Sequence, residues 1–459
     1  MAAFPPHPSS SLHPLRFQGT DVLLAQMNIL DFIAQNANHS TMFLFKCRGW
    51  APLWLLTGVL SLQFVDLSAA SAWNRFRGPN GTGVLESSVK LSQLSMEDLA
   101  WKLELPGEGH SSPVLWGQTL FLTSMNPQAS SFYVVAIDTL SGKVNWSREV
   151  AYEAFSKHDF NSFASPSPTV DETGVYIAWA RPESLHLASL THQGEWRWDR
   201  DLGPYQSQHG VGVSPILYQG KVIMANDQLG KSSLIALDKA NGSLIWQTPR
   251  NSDKAAYSTP CLYQAEGEAG QLIFNSAADG ITGVDPSNGQ VIWSYPKAFD
   301  KRSCSSPIVA GGKIFGSCGS GGGGNYVVAL NPPNASSANK VELAYEIRRS
   351  ANYVPTPLAL GDIVYFWSDG GILTAADPKT GRIHYQERVG GRYFGSPVAT
   401  GGEILCVSTT GELVVVEAGP TFKTPHRLDL GALCHATPAL SEEALYVRTA
   451  WTLHKFHQP

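Results

Sequence analysis

The sequence predicts an all-β fold: an eight-bladed β-propeller whose last blade is completed by an N-terminal strand. Three observations carry this prediction. The composition is poor in charge and rich in turn formers, a Ser/Thr-Pro dipeptide recurs eight times, and the strands close into a ring only if the two chain ends share a blade. The chain has 459 residues, 15% of them charged, with 43 Gly and 29 Pro. Ordinary globular chains carry about 25% charge, ~7% Gly and ~5% Pro. The balance argues against coiled coils, helical bundles and acidic disordered chains, and it suits many short strands joined by turns. A formal net charge of -5 provides no basic excess for a phosphate backbone, so nucleic acid is not an expected partner.

The dipeptide ends at Pro113, Pro168, Pro215, Pro260, Pro307, Pro357, Pro397 and Pro438, a spacing of roughly 40 to 55 residues that marks one supersecondary unit per copy. A second strand-like run follows each copy, as in Gly220 to Asp227 or Asp362 to Asp369. A third run ends in Asp and a Gly turn, and a fourth closes on an aromatic residue, most clearly at Trp146, Trp246, Trp293 and Tyr385. Alternating apolar residues make half-buried strands, while Asp and Gly supply the acceptor and the permissive backbone of a tight turn. Four short strands per period describe a propeller blade. The last copy has room for only three. The missing strand stands near the start, in the stretch around Trp101, so residues 99–459 form the ring and no sheet edge is left open at its seam.

Upstream, residues 1–41 carry Pro5, Pro6, Pro8 and Pro14 and precede a second Met at position 42, which suits a dubious extension from a misassigned start. Residues 42–72 read as a signal peptide: Lys46 and Arg48, an apolar run from Ala51 to Leu62, then Ala70-Ser71-Ala72. Cleavage near Ala72 would make the mature chain secreted or periplasmic. The apolar run is shorter than the ~20 residues that span a bilayer, so no stable membrane span is expected in the mature chain. Residues 73–98 form a lead-in segment. Five Cys remain after Cys47 leaves with the signal, an odd number that rules out complete pairing; Cys304 and Cys318 flank the turn at Gly311-Gly312 and are either a disulfide or buried thiols.

These repeats resemble the PQQ-repeat β-propeller family (pyrrolo-quinoline quinone-like), with its A-x-D-x-x-T-G-x-x-x-W unit. The copies ending at Trp146, Trp246 and Trp293 carry the unit most fully, and those ending at Trp198, Tyr345 and Tyr385 are degraded. The segments from Trp73 to Val84, Lys157 to Pro168 and Gln208 to Gln228 resemble a secreted branch without an assigned function. The resemblance implies either a non-catalytic binding scaffold or a quinone-dependent dehydrogenase of alcohols or sugars. In the second case PQQ with Ca²⁺ would be bound; in the first no cofactor is expected. Family dehydrogenases carry adjacent cysteines and a Ca²⁺ held by Glu, Asn and Asp, and neither pattern can be matched here. G-x-S-x-G, H-E-x-x-H and C-x-x-C are also absent, so no catalytic residue and no metal site are assigned.

In propellers the loop into each innermost strand reaches the axial opening. The residues three before each repeated Pro therefore sample one ring: His110, Ser165, Gly212, Tyr257, Cys304, Val354, Phe394 and His435. This mixture predicts an asymmetric pocket or, preferably, a channel filled by side chains. The loops into blades 2 and 3 add His158, Asp159, Asn161, Gln208 and His209; those of blades 5 to 7 add Arg302, Arg348, Arg349 and Arg392, with Arg448 on blade 8. A metal reading of His158, Asp159 and His209 is less favoured than hydrogen-bonded histidines. The candidate ligand-binding set is His158, Asn161, Gln208, His209, Arg302, Arg349 and Arg392. Guanidinium groups would meet an acidic group, and the amide and imidazole side its hydroxyls. A protein, a glycan or a small anionic ligand is the expected partner on this face. The run from Gly319 to Gly324 lacks the Lys-Ser/Thr of a phosphate loop and reads as a flexible blade loop.

Overall fold

The computed structural model describes residues 73–457, apart from 154, 156, 252–253 and 334–339. The proposed extension and signal peptide lie outside the described residues. The described residues make up eight four-stranded antiparallel sheets with their connecting loops and lead-in. In chain order they span 114–151, 169–201, 216–250, 261–295, 308–347, 358–388, 398–429 and 439–457, the last joined by the strand Leu99–Glu104. That strand pairs antiparallel with Thr452–His457, setting Trp101 opposite Lys455. The ring closes as the strand count requires.

Sheets packed face to face bury both sides of the inner strands and only one side of the outer ones. The second strand of blade 2, Gly174–Arg181, is buried along almost its whole length, whereas the outer strand Val144–Ala151 alternates between exposed and half-buried positions.

In five blades the closing aromatic residue docks on the next blade's turn. The indole N–H of Trp101 donates to the Thr139 carbonyl, that of Trp146 to His192, that of Trp198 to Lys239 and that of Trp246 to Pro286, at 2.7–3.1 Å; the Tyr345 hydroxyl reaches the Pro378 carbonyl. The turn glycine lies flat on the ring. A Cβ placed on Gly194 would come within 2.6 Å of Trp146 and one on Gly242 within 2.6 Å of Trp198, both at positive φ. Glycine therefore serves two needs at once: the left-handed turn and the close approach. Trp101 makes the same contact with Gly142 across the seam between blades 8 and 1. Trp198, in a degraded copy, docks fully because docking depends on the following blade. Trp293, in a full copy, instead bonds Gln271 in its own blade.

The repeated dipeptide has a single geometric purpose. The backbone N–H of Ser112 donates to the Ser167 hydroxyl, Ser167 to Ser214, Ser214 to Thr259, and so on through Ser306, Thr356, Ser396 and Thr437 back to Ser112, at 2.8–3.2 Å. Eight hydroxyls thus form a closed circle around the axis. The proline that follows has no N–H to satisfy and starts the inner strand.

Below the circle, residues 73–85 run across the axis as a strap. Carbonyls of Trp73, Asn74 and Gly83 accept from Leu115, Val170 and Ala399, and the Asn80 side chain both donates to and accepts from the Leu262 backbone. Blades 1, 2, 4 and 7 are braced by one segment. Arg75 donates to the Pro260 carbonyl and Arg77, with no exposed surface, to those of Pro357 and Pro397.

Removing residues 73–105 would take away both the strap and the outer strand of blade 8. Such a protein should aggregate or lose its single cooperative transition, as read by light scattering and calorimetry, since an open edge and an uncovered blade face remain. A monomeric truncation with an unchanged melting temperature would contradict closure by this route.

Candidate functional site

Above the hydroxyl circle lies a cavity of about 560 Å³. Its floor is Phe76, raised from the strap, together with the eight circle residues; its wall includes all eight residues that stand three before a repeated proline. The axial channel is thus filled from one side by the strap and open on the other, where a side-chain plug was the preferred expectation. Two tiers follow from the repeat itself: an inner tier of hydroxyls, and an outer tier whose identity differs from blade to blade.

Each circle hydroxyl accepts one backbone N–H and still carries its own proton. None of these eight protons has an acceptor among the described residues. Three further polar atoms of wall residues are buried without a partner: His110 Nδ1, Tyr257 Oη and Arg302 Nε. Buried polar groups are normally paired, and a bound molecule is one way to pair them.

Of the seven candidate residues, His158, Asn161, His209, Arg302 and Arg392 line the cavity. Gln208 stands beside them, its Oε1 accepting from Arg302 Nη2 at 2.7 Å. Arg349 is exposed and outside the lining, its carbonyl accepting from Gln386. Asn161 ties its loop to blade 3 by donating to the carbonyls of His209 and Val211. Arg392 lies over Phe160 and Phe394, 5.4 and 5.9 Å from the ring centroids. Among the described residues neither Arg302 nor Arg392 forms an ion pair with a carboxylate. Arg348, by contrast, pairs with Glu346, and Arg448 is fully buried against the Ser111 and Thr123 carbonyls. Asp159 is exposed and does not line the cavity.

Four imidazoles face the cavity in two pairs. The His110 and His435 ring centroids are 4.4 Å apart, with His435 Nδ1 3.2 Å from His110 Nε2; those of His158 and His209 are 5.0 Å apart. Burial, aided by His435 and Arg448, drives His110 down to about 3. Burial also lowers His209, beside Arg302, and His435, each to about 4. His110, His209 and His435 are therefore neutral at pH 7.

One carboxyl, Asp369, lines the cavity. It accepts the N–H groups of Tyr353 and Val354 at 2.7 and 3.1 Å, and burial raises it to about 6 despite those bonds and Arg392. Burial likewise pushes the Cys304 thiol up to about 12. Cys304 and Cys318 are both free thiols. Phe76, Asp369 and the circle hydroxyls were missed by the sequence reading.

A family model described as "Outer membrane protein assembly factor BamB" (PQQ_2) matches residues 87–253, 165–383 and 323–421. No curated protein matches the chain. Among solved structures, BamB from Moraxella catarrhalis is similar at 15% identity and a TM-score of 0.56, over 78% of this chain and 97% of that one. The quinohemoprotein alcohol dehydrogenase from Comamonas testosteroni is similar at 12% identity and 0.61, over 86% and 81%. At these identities the likeness concerns the fold. A Ca²⁺ ion of the kind that accompanies the quinone takes six or more oxygen ligands. The cavity offers one carboxylate, with both oxygens engaged by amides, and among the described residues no group of three or more His, Cys, Asp or Glu could hold a metal. The residues present do not fit that group.

Acid should destabilise the fold through the cavity histidines. The unfolded chain takes up protons below pH ~6.5, whereas the folded rings resist to about 3 or 4, so stability falls as pH drops through this window. Asp369 acts oppositely, because its raised value lets the folded state bind a proton between about 6 and 4 that the unfolded chain does not. Three groups outweigh one, so the melting temperature should decline from pH 6.5 to 4, less steeply in His110→Asn/His435→Asn. A flat or rising profile would contradict this.

Proposed function

Because the chain belongs to the PQQ-repeat β-propeller family, we propose that it is an exported binding module without chemistry of its own, whose axial cavity receives a small anionic ligand. The observation that carries this reading is the imbalance of the cavity. Two guanidiniums without a paired carboxylate and eight unclaimed hydroxyl protons face one carboxyl, Asp369. Arg302 is half-buried and Arg392 exposed at the cavity mouth, and an anion in the cavity would pair with both while the planar guanidinium fork fixes its orientation.

Export is supported by the basic, apolar and small-residue order of residues 42–72, and by the family description, which names an outer membrane assembly factor. Among the described residues no helix is long and apolar enough to cross a membrane. A protein partner held on the outer rim of the same face, as a scaffold would hold it, is compatible with a ligand below it.

Titration calorimetry with galacturonate, citrate and sulfate should find at least one that binds. Its affinity should fall tenfold or more in Arg302→Ala/Arg392→Ala, with the melting temperature retained. Equal affinity in the folded double variant would overturn the reading. Addition of PQQ with Ca²⁺ should give no dye-coupled oxidation of alcohols or sugars; stoichiometric binding with turnover would establish the dehydrogenase alternative.

A further inference from the structure

The glycine-rich stretch after the second strand of blade 5 has a place in the cavity that its sequence did not disclose. Ser320, Gly321, Gly323 and Asn325 line the wall next to Arg302. The loop is rooted on that arginine, since the Gly319 N–H donates to the Arg302 carbonyl at 3.0 Å. Its interior is ordered by Ser320, whose N–H reaches Asn325 Oδ1 at 3.1 Å and whose hydroxyl reaches the Gly323 carbonyl at 3.0 Å. Lys301 closes on the same carbonyl at 2.8 Å.

The glycines here are not all explained by the fold. Gly323 and Gly324 take positive φ and so need no other reason. Gly321 does not take positive φ, and a Cβ placed on it would meet nothing within 4 Å. Neither the backbone nor packing asks for glycine at this position. A bare backbone facing a cavity suits the close approach of something from within it. The Gly321 N–H has no acceptor among the described residues.

The neighbouring polar atoms share one character. Asn325, which lines the cavity, spends its Oδ1 inside the loop and keeps its Nδ2 donor free of any bond to a described residue, and Arg302 Nε is buried without a partner while Nη2 is held by Gln208. Across the cavity the half-buried His110 leaves its Nδ1, itself without exposed surface, unpartnered as well. Amide, carboxamide and guanidinium N–H groups are donors only, and together they complement an oxyanion.

We infer that the loop from Gly319 to Asn325 and the Arg302 side chain form the subsite that grips the ligand's oxyanion, be it a carboxylate, sulfate or phosphate group. The inference rests on the reading of the cavity as an anion site and assigns that site its anchor. Arg392, stacked on Phe160 and Phe394, then faces the remainder of the ligand from the loop into blade 7, two blades on.

Two substitutions test the anchor without dismantling the loop. Asn325→Asp keeps the acceptor for the Ser320 N–H and replaces the donor with a negative oxygen. Gly321→Val fills the approach with a side chain where the fold has room for one. Orthophosphate, sulfate and galacturonate are titrated into the full chain and each variant, with melting temperatures as the fold control. Expected is a tenfold or greater loss of affinity in both variants at an unchanged melting temperature, with Arg302→Lys retaining more binding than Arg302→Ala. If an anion binds wild type and both folded variants equally, while Arg392→Ala weakens it, the cavity reading survives and the loop assignment falls. If no anion binds wild type, the cavity reading itself falls.

Discussion

Everything in this molecule depends on the circle of eight Ser/Thr hydroxyls. A propeller must bring eight separately folded sheets to a common axis, where their innermost strands converge and backbone amides would otherwise be stranded. Here each stranded amide is satisfied by the next blade's hydroxyl, and the chain of bonds returns to its start. One such bond contributes about 1 kcal/mol net, and an orphaned buried donor costs ~1–3 kcal/mol. A blade that shifts loses a bond on each side, so the circle enforces equal spacing more strongly than any pair contact. The Trp-on-glycine contacts do the same at larger radius, fixing the angle between neighbours where the circle fixes their distance.

The strap depends on that circle in turn. Convergence of the inner strands leaves backbone groups pointing at the axis beneath the hydroxyls, and residues 73–85 supply the carbonyls and the two carboxamides, Asn74 and Asn80, that meet them. Arg75 and Arg77 fit this setting because proline carbonyls crowd together there. Burial lowers them only to about 10 and 9, so both remain charged at neutral pH. Both guanidiniums spend donors on proline carbonyls beneath the floor.

Fold and site were legible in the sequence to different degrees, for a physical reason. Blade number and closure follow from spacing, because every repeat answers the same packing problem and so writes the same residues: Ser/Thr-Pro for the circle, Asp and Gly for the turn, an aromatic for the dock. The outer tier could be located by counting three back from each proline, since symmetry carries position even where it does not carry identity. Arg349 could not be separated from Arg302 by this means. Both sit in blade-connecting loops, and only the course of the loop sends one inward and the other to solvent. Asp369 was invisible because it follows a second strand, not a repeated proline, and the Phe76 floor was hidden because the strap lies outside the repeat.

That division also explains why recognition falls where the repeat is least regular. The inner tier cannot vary without breaking the circle, so it offers the same hydroxyl proton in every blade and can favour acceptors over donors but cannot orient a ligand. Orientation needs asymmetry, and asymmetry is available only in the outer tier and in loops longer than the blade requires. Blade 5 supplies both: Cys304 and Arg302 before its proline, and the Gly319 to Asn325 loop behind its second strand. Blade 5 also stands opposite blade 1, whose His110 meets His435 of blade 8 to make a neutral, aromatic wall. The cavity thus carries Arg302 and the loop's backbone at blade 5 and uncharged rings at blades 1 and 8, with Arg392 stacked beside those rings on Phe160 and Phe394. These departures from eight-fold symmetry are held in register by the symmetric circle beneath.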